Sequence, residues 1–368
     1  MNSKMIFHDL TAYSKTDEKF NKDKVIQAKK QFSSMKKESE QKTKLTKCYY
    51  CEKVCESFCN SHTLPAFCLK NIASDGKVFY MNTILNIPLL KDDKGINEAG
   101  TFHLICRGCD SKIFQDYENP DNYENKPSIK MLAQIDKKNN LKNISKRLIE
   151  NHMYDIMPDK IGANAAVTQM KKDIGEIDLQ EFNEAFRNAK RRSEKPFSGD
   201  YYIGYYAKLP YVVPVAFQGT IALISDLEKN TINDIYEADP QYKIMYMTLC
   251  IFPLKDASVV MLFTAKNNNR YRRFFKQLNK VKSLDEQLQI INYILFAYTE
   301  DYFLSNCISP DTIKQLEPVS RKSQEVRCYN GVTHDEIVEA AKERFDYDKR
   351  ASIPNLLSKQ FAVNINFD

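Results

Sequence analysis

The sequence lacks any apolar run long enough to cross a membrane. A membrane-spanning helix needs about 20 consecutive, mostly apolar residues, and the chain contains no such stretch. Its first ten residues, MNSKMIFHDL, also lack the apolar core followed by small residues that marks a secretory signal. We therefore expect a cytoplasmic protein that does not engage membranes.

Several motifs of nucleotide and hydrolase chemistry are missing as well. The chain has no Walker A sequence, no GxGxxG after a predicted strand, no serine-centred nucleophile elbow and no HExxH. No segment repeats at a fixed period. Nucleotide-driven chemistry and hydrolase chemistry of these kinds are therefore unsupported.

What is present is the composition of a folded protein with an uneven charge. Hydrophobic residues make up 43% and charged residues 28% of the 368 positions, which predicts a real core and about two domains. Residues 1–47 contain twelve lysines against six acidic residues, whereas the remainder is balanced at 42 of each. This arm suits a phosphate backbone or another anionic partner, and a solvated lysine-rich helix is the plainer alternative.

The cysteines are concentrated in one segment. Seven of the ten lie between Cys48 and Cys109 and include two Cys-x-x-Cys pairs, Cys48/Cys51 and Cys106/Cys109. Each pair can place two thiolates on one ion, so that the two pairs complete a tetrahedral zinc site. In a cytosolic protein this clustering favours a metal over disulfides. Unligated thiols and a thiol–disulfide couple are the alternatives.

Further cysteines of this segment complicate the choice of ligands. Cys51, Cys55 and Cys59 recur every four residues and could align on one face of a helix. Cys68 is a further thiol in the same region. A second metal is therefore a less favoured alternative.

Hydrophobic patterning divides the chain into a basic helical arm (1–47), a zinc-binding module (48–120) and a mixed domain (128–368). Helices are predicted over 18–38, 128–157, 165–193, 268–280 and 284–304, and strands over 201–209, 211–224, 243–254 and 258–265. The module contains short alternating runs typical of a β-hairpin, and the last forty residues are expected to be peripheral. The predicted fold class is α+β: a small zinc treble-clef module followed by a larger domain with helices packed on an antiparallel sheet.

A histidine motif lies between the two cysteine pairs. Ser61-His62-Thr63-Leu64-Pro65 follows the first pair, and the apolar residues Leu104 and Ile105 precede the second pair. The order Cys-x-x-Cys, His-x-x-Pro, Cys-x-x-Cys and helix resembles the HNH endonuclease superfamily with its ββα-metal site. More narrowly it is similar to an HNH-like group reading SHxxP…CxxC[DE], often associated with bacterial phage defence and mobile elements. The resemblance covers residues 48–118.

The resemblance implies a catalytic role for His62 as the general base that activates water. A neutral imidazole can accept a proton near pH 7, and Mg²⁺ or Mn²⁺ would neutralise charge on the scissile phosphate. The sequence departs from the family pattern, because Ser61 stands where many members have Asp or Glu and no histidine follows the second pair. A structural or ligand role for His62 is the alternative. The side chains that could complete a catalytic metal site are His103, Asn97, Asp110 and Glu118.

A basic segment interleaved with aromatic residues, RYRRFFK, lies at 270–276. Arg270, Arg272, Arg273 and Lys276 could hold phosphates while the rings stack on bases. The alternative is an amphipathic helix with Tyr271, Phe274 and Phe275 turned inward. A second basic cluster, over residues 187–195, has the same two interpretations.

The sequence therefore predicts a metal-dependent HNH-like nuclease that acts on DNA or RNA, with structural zinc and catalytic Mg²⁺ or Mn²⁺. A non-catalytic zinc module that binds nucleic acid or a protein partner is the alternative. A thiol-redox protein ranks third.

Overall fold

A computed structural model describes residues 22–84, 87–237, 239, 241–299, 301–320 and 331–363. The first half of the predicted basic arm, residues 1–21, lies outside the described residues. The strands are β1 (Ser61–His62), β2 (Lys77–Ile84), β3 (Ile87–Gly95), β4 (Thr101–Phe102), β5 (Tyr201–Leu209), β6 (Val215–Ile221), β7 (Met247–Pro253), β8 (Ser258–Ala265) and β9 (Phe303–Ser305). The helices are α1 (Lys22–Lys42), α2 (Ala66–Lys70), α3 (Arg107–Ile113), α4 (Gln115–Glu118), α5 (Ile129–Ile161), α6 (Ala165–Glu194), α7 (Arg272–Lys280), α8 (Leu284–Tyr298), α9 (Pro310–Ser320) and α10 (His334–Arg344).

Within the described residues, seven strands form one antiparallel sheet in the order β3-β2-β9-β6-β7-β8-β5. The central strands β7 and β8 are buried on both faces. Alternate residues therefore enter two apolar clusters. Leu249 and Leu262 pack with α7 and α8 on one face, while Cys250 and Met261 pack with α5 on the other. The prediction of a mixed α+β fold with helices on an antiparallel sheet is confirmed.

The long helices α5 and α6 form a hairpin with defined ends. The Ser128 hydroxyl accepts a hydrogen bond from the Met131 N–H and caps α5 at its start. Gly162 ends this helix with φ +67°, a left-handed conformation that glycine adopts without a Cβ penalty. The Asn164 side chain then caps α6. Helix α1 packs on the C-terminal half of α5 through Phe32 and Met35.

The cysteine-rich segment is joined to the main sheet. Strand β2 pairs with β3 and, on its other edge, with β9, where Val78 lies opposite Ser305. The cluster that contains Cys48 continues through α5 and into β7 and β8. Tyr123, in the predicted boundary segment, is fully buried against Phe67 and Phe252. Residues 48–120 and the following residues therefore share one core.

The expectation that the last forty residues are peripheral is wrong. Tyr347, Leu356 and Leu357 are buried in the cluster that holds α7 and α8. The Asn292 side chain also accepts a hydrogen bond from the Leu356 N–H. Isolated apolar residues between short 3₁₀ turns give no periodic signal, so the sequence pattern did not reveal this packing.

In the part of the chain that the structure describes, no helix is both long and apolar enough to cross a bilayer.

Candidate metal centre

Four thiols converge at one point of the cysteine-rich segment. The Sγ atoms of Cys48, Cys51, Cys106 and Cys109 all lie within 4.8 Å of one another. Cys48 and Cys51 occupy a turn in which the Cys48 N–H donates to the Lys53 carbonyl at 2.9 Å. Cys106 is the residue before α3, and Cys109 lies in its first turn. The predicted convergence of the two pairs is confirmed, and the arrangement is compatible with structural zinc.

Backbone contacts hold the two pairs together. The Tyr49 N–H donates to the Leu104 carbonyl at 2.9 Å, and the Cys106 N–H points at the Cys48 sulfur at 3.3 Å. The short strands β1 and β4 pair between them, with His62 opposite Thr101. The predicted β-hairpin of the module corresponds to β2 and β3, and it extends the main sheet. The metal-ligand geometry is therefore set by β1, β4 and the start of α3.

The surroundings shift the pKa values of Cys48 and Cys109 in opposite directions. Burial raises the pKa of Cys48, but the N–H groups of Cys51, Cys106 and Tyr50 outweigh it and bring the pKa down to about 7. Burial and the neighbouring thiols raise the pKa of Cys109. Zn²⁺ favours four thiolates in tetrahedral closed sites. N–H···S bonds of the kind made by Cys106 are the outer contacts that orient such ligands.

The remaining cysteines of the segment lie apart from this group. Residues 51–59 form turns and bends and no helix, so the predicted alignment of Cys51, Cys55 and Cys59 on one helical face is wrong. Cys55 lies near the cluster but outside its four-ligand group. Cys68 is fully buried in the core. Neither residue supports a second metal.

His62 lies on β1 and is half-buried. Its Nε2 is 2.9 Å from the Ile96 carbonyl oxygen. Because a carbonyl oxygen only accepts, Nε2 carries the hydrogen in this contact, and Nδ1 is the nitrogen left to accept a proton. The ring is therefore oriented by the backbone just after β3.

Of the residues expected to complete a catalytic metal site, His103, Asp110 and Glu118 form no metal-capable group with His62 among the described residues. His103 is exposed between the buried residues Phe102 and Leu104. Glu118 forms an ion pair with Lys138, and the Asn97 carbonyl accepts from the Asn60 side chain. Among the described residues, metal-capable groups of three or more His, Cys, Asp or Glu occur twice, and neither contains His62.

Asp110 has a role that the sequence did not reveal. Its carboxylate accepts from the Ser61 hydroxyl at 2.8 Å and from the Cys59 thiol at 3.2 Å. Burial and this carboxylate together raise the pKa of Cys59 to about 11. Asp110 thus connects the first turn of α3 to the chain entering β1. Its position at a helix start also favours a negative charge.

Lysines of the two long helices support the first cysteine pair, and the burial of Lys137 was not predicted from the sequence. Lys137 on α5 is 2% exposed, donates to Ser193 and lies 5.2 Å from the centre of the Tyr50 ring. Burial lowers the pKa of Lys137 to about 8. Lys190 on α6 donates to the Tyr50 carbonyl at 2.9 Å. Since Tyr50 lies between Cys48 and Cys51, these lysines anchor the turn to both long helices.

The basic and aromatic segment at 270–276 leads into the amphipathic helix α7 and forms its first turn. Tyr271, Phe274 and Phe275 are at most 1% exposed, so their rings pack in the core and are not available to stack on bases. Arg270 donates to the Lys243 carbonyl and to Asn233, and Arg273 pairs with carboxylates.

The remaining cations of this segment are exposed. The Arg272 guanidinium lies over the Tyr202 ring. The nucleic-acid-binding role of Arg270, Arg272, Arg273 and Lys276 stays a prediction.

A second group of metal-capable side chains lies far along the chain. Asp234, Glu237 and His334 place one ligand atom each within 4.8 Å of the others. The His334 Nε2 lies 2.6 Å from an Asp234 oxygen, so these two side chains already contact each other directly. Comparisons with protein-family models, with curated proteins and with solved structures gave no match.

Proposed function

We propose that the protein binds nucleic acid without cleaving it, through a surface organised by a structural zinc ion in a treble-clef-like module. Cys48, Cys51, Cys106 and Cys109 would hold the ion, and zinc bound by four thiolates has no open position for catalysis. The observation that carries the proposal is the closed group of four thiols beside cations that lack acidic partners. Among the described residues, no group of three or more His, Cys, Asp or Glu side chains includes His62, which supports binding over cleavage.

The cations closest in sequence to the thiols are exposed. Lys47 and Lys53 flank the first pair, and Arg107 follows Cys106 directly. In the described part of the chain, no carboxylate lies within ion-pair distance of these three side chains. Exposed lysine and arginine side chains bind phosphates and release counterions from the nucleic acid. Such contacts position a nucleic acid without reading its sequence.

Helix α6 adds cations beside the same turn. Lys190 contacts Tyr50, and the charge of Arg187 lowers the pKa of Tyr49, which burial raises. Arg191 is exposed one residue further along the helix. The turn of the first cysteine pair therefore has cations of its own and of α6 beside it, together with the Glu194 carboxylate that accepts from the Tyr50 hydroxyl, and the excess of cations favours an extended anionic ligand.

The experiment compares charge reversal at the thiol group with a matched reversal elsewhere. The test variant is Lys47→Glu/Lys53→Glu/Arg107→Glu, and the control is Lys208→Glu/Lys282→Glu/Lys359→Glu, three exposed lysines outside the module. Both change the net charge equally. Binding to labelled DNA and RNA is followed by fluorescence anisotropy across a salt series, at equal zinc content.

We expect the test variant to bind more weakly, with the slope of log K against log salt reduced by about 2 to 3. The control should retain the wild-type slope. If both variants lose the same affinity for DNA and RNA, net charge alone explains the loss and the proposed surface is wrong. If the wild-type protein binds neither nucleic acid, the proposal is rejected.

An HNH-like nuclease is the second candidate, because one feature of His62 favours it. The side chain is half-buried on β1, between the first thiol pair and α3, and its Nδ1 is left to accept a proton. The test is cleavage of plasmid DNA, single-stranded DNA and RNA with Mg²⁺ or Mn²⁺. His62→Ala should abolish cleavage, while His103→Ala, an exposed histidine of the same module, should not. If the zinc-loaded wild-type protein cleaves none of these substrates, nuclease activity is rejected and binding without cleavage remains the proposed function.

A further inference from the structure

Two lysines of the long helices place their ammonium groups against the aromatic ring inside the first cysteine pair. The Lys137 Nζ on α5 lies 5.2 Å from the centre of the Tyr50 ring, and the Lys190 Nζ on α6 lies 4.3 Å from it. The Lys190 ammonium also donates to the Tyr50 carbonyl at 2.9 Å. Since Tyr50 stands between Cys48 and Cys51, both cations are held beside the turn that carries half of the thiol group.

Lys137 also contacts a residue that follows the other half of the thiol group. Its Nζ lies 5.5 Å from the centre of the Phe114 ring. Phe114 directly follows α3, the helix that begins after Cys106 and contains Cys109. A cation within about 6 Å of a ring centre is attracted by the ring. The Lys137 ammonium is therefore held by one ring from each half of the thiol group.

The charge of Lys137 is buried without a carboxylate partner. The side chain is 2% exposed, and its Nζ donates to the Ser193 hydroxyl at 2.9 Å. Among the described residues, no carboxylate lies within ion-pair distance of Lys137 or Lys190. The exposed Glu194 carboxylate acts on Lys137 from further away and accepts from the Tyr50 hydroxyl. A buried cation destabilises a fold unless an anion compensates for it.

The next lysine of α5 has the partner that Lys137 lacks. Lys138 is 1% exposed, and its ammonium group forms an ion pair with Glu118. Asp116, the second carboxylate of α4, pairs with Lys130 and accepts from the Gln134 side chain. Both carboxylates of α4 are therefore engaged by side chains other than Lys137.

Zinc bound by the four thiolates would provide the compensating negative charge. Four thiolates outnumber the two positive charges of the ion, so the loaded group is a dianion. Charges in a partly buried site act on one another more strongly than charges in water, because the effective dielectric constant is lower. A dianion beside the Tyr50 turn matches the charges of two ammonium groups.

We propose that Lys137 and Lys190 are the counter-cations of the zinc-bound thiol group and that they help it to retain the metal ion. They act through charge and through their hold on the Tyr50 turn. Loss of either charge leaves the loaded group less stable and its sulfur atoms more nucleophilic. The proposal rests on zinc in the thiol group and is independent of nucleic-acid binding.

Zinc affinity provides the first test. The full zinc-loaded chain is titrated with a chelator of known zinc affinity. Lys137→Met and Lys190→Met each keep a long side chain and remove its charge, and we expect each to weaken zinc binding about tenfold or more, as the loss of outer-shell partners does. Lys138→Met is the control and should bind zinc as the wild type does, because Glu118 already compensates for its charge.

Alkylation separates a charge effect from a loss of packing. Iodoacetamide is added at two saturating zinc concentrations, and modification of the four ligand cysteines is followed by peptide mass spectrometry. We expect Lys137→Met and Lys190→Met to be alkylated faster than the wild type at both concentrations. Lys190 is only half-buried, so an arginine has room there. Lys190→Arg should restore the wild-type rate and zinc affinity, because arginine keeps the positive charge.

The outcomes distinguish this proposal from the proposed function. Wild-type zinc affinity in both methionine variants would overturn the proposal and leave the structural zinc in place. An equal loss in Lys138→Met, or a loss in Lys190→Arg as large as in Lys190→Met, would assign the effect to packing and overturn it as well. A wild-type chain that binds no zinc would overturn both proposals. Weakened zinc binding in the two methionine variants supports the counter-cations whether or not the wild type binds nucleic acid.

Discussion

At the scale of single residues, one carboxylate connects the first turn of α3 to the chain entering β1. Asp110 accepts from Ser61 and Cys59 across the gap between α3 and β1. We expect Asp110→Ala to lower the free energy of unfolding by about 1–3 kcal/mol, because both partly buried donors lose their acceptor. Urea unfolding of the zinc-loaded protein measures this. Ser111→Ala changes the exposed neighbour and is the control. If Asp110→Ala lowers the free energy of unfolding no more than Ser111→Ala does, these hydrogen bonds of Asp110 do not stabilise the fold.

His334 gives the protein a pH-dependent contact. Its hydrogen bond to Asp234 and the charge of that carboxylate raise the pKa of His334 above its ordinary value. A group with a raised folded pKa stabilises the folded state fully below its unfolded pKa, about 6.5, and loses this contribution as the pH rises through the folded pKa. We therefore expect the stability difference between wild type and His334→Gln to be largest below about pH 6.5.

Urea unfolding of both proteins across a pH series that starts about one unit below 6.5 and extends into the alkaline range provides the measurement. The difference should vanish at the alkaline end. His152→Gln is the control, because His152 bonds to the Ser39 hydroxyl and not to a carboxylate. A difference that stays constant with pH would argue against the ion pair with Asp234.

At the scale of elements, Gly100 lets the chain before β4 approach β9. Its φ is +61°, and a Cβ there would lie 2.3 Å from Phe303 Cζ and 2.9 Å from Thr63 Oγ1. We expect Gly100→Ala to destabilise the protein by about 2 kcal/mol or more, from strain and from the displaced ring.

Gly108 provides the matched substitution. It lies in α3, and a Cβ there meets nothing within 4 Å. Gly108→Ala should stabilise the helix by about 0.5–1 kcal/mol. Thermal unfolding of both variants checks the pair. Equal effects would show that the contact between Gly100 and Phe303 contributes nothing.

The elements predicted best are those whose pattern is local. The predicted strands over 201–209 and 258–265 coincide with β5 and β8, and α5 begins directly after Ser128, where the apolar periodicity predicts the start of a helix. β9 and its pairing with β2 were not predicted. Three residues carry too little pattern, and nothing near residue 78 in sequence indicates a partner at 305.

The candidate site likewise has features that the sequence predicts and features that it does not. The spacing of the four cysteines predicts their convergence, because each pair needs only a tight turn. The burial of Lys137 against Tyr50 was not predictable, since an isolated lysine in a helical pattern normally faces solvent. The surroundings of His62 likewise depend on which face of β1 packs inward, and two residues do not fix that face.

At the scale of the whole molecule, the thiol group shares a core with the sheet. The cluster that contains Cys48 continues through α5 to β7 and β8. We therefore expect zinc removal to weaken the entire fold. Hydrogen exchange of α5 and β7 amides should accelerate after chelation, and Cys106→Ser should act alike.

Cys307→Ser is the control for this experiment. Cys307 is an exposed thiol that lies outside both metal-capable groups of the described residues, so its loss should leave exchange unchanged. Faster exchange confined to residues 48–118 after chelation would instead show that the thiol group is energetically separate from the sheet.

Because the chain is synthesised from its N-terminus, β2 leaves the ribosome long before its partner strand β9. More than two hundred residues separate Ile84 from Phe303. At about 5–20 residues per second, β2 waits roughly 10–40 seconds for its second neighbour after it has been synthesised. Cys48 and Cys51 precede β2, and Cys106 and Cys109 are made early in that interval, so the thiol group can close while one edge of β2 is still unpaired. The nascent chain therefore passes through a period in which an open strand edge invites aggregation, and binding of a chaperone there would protect it.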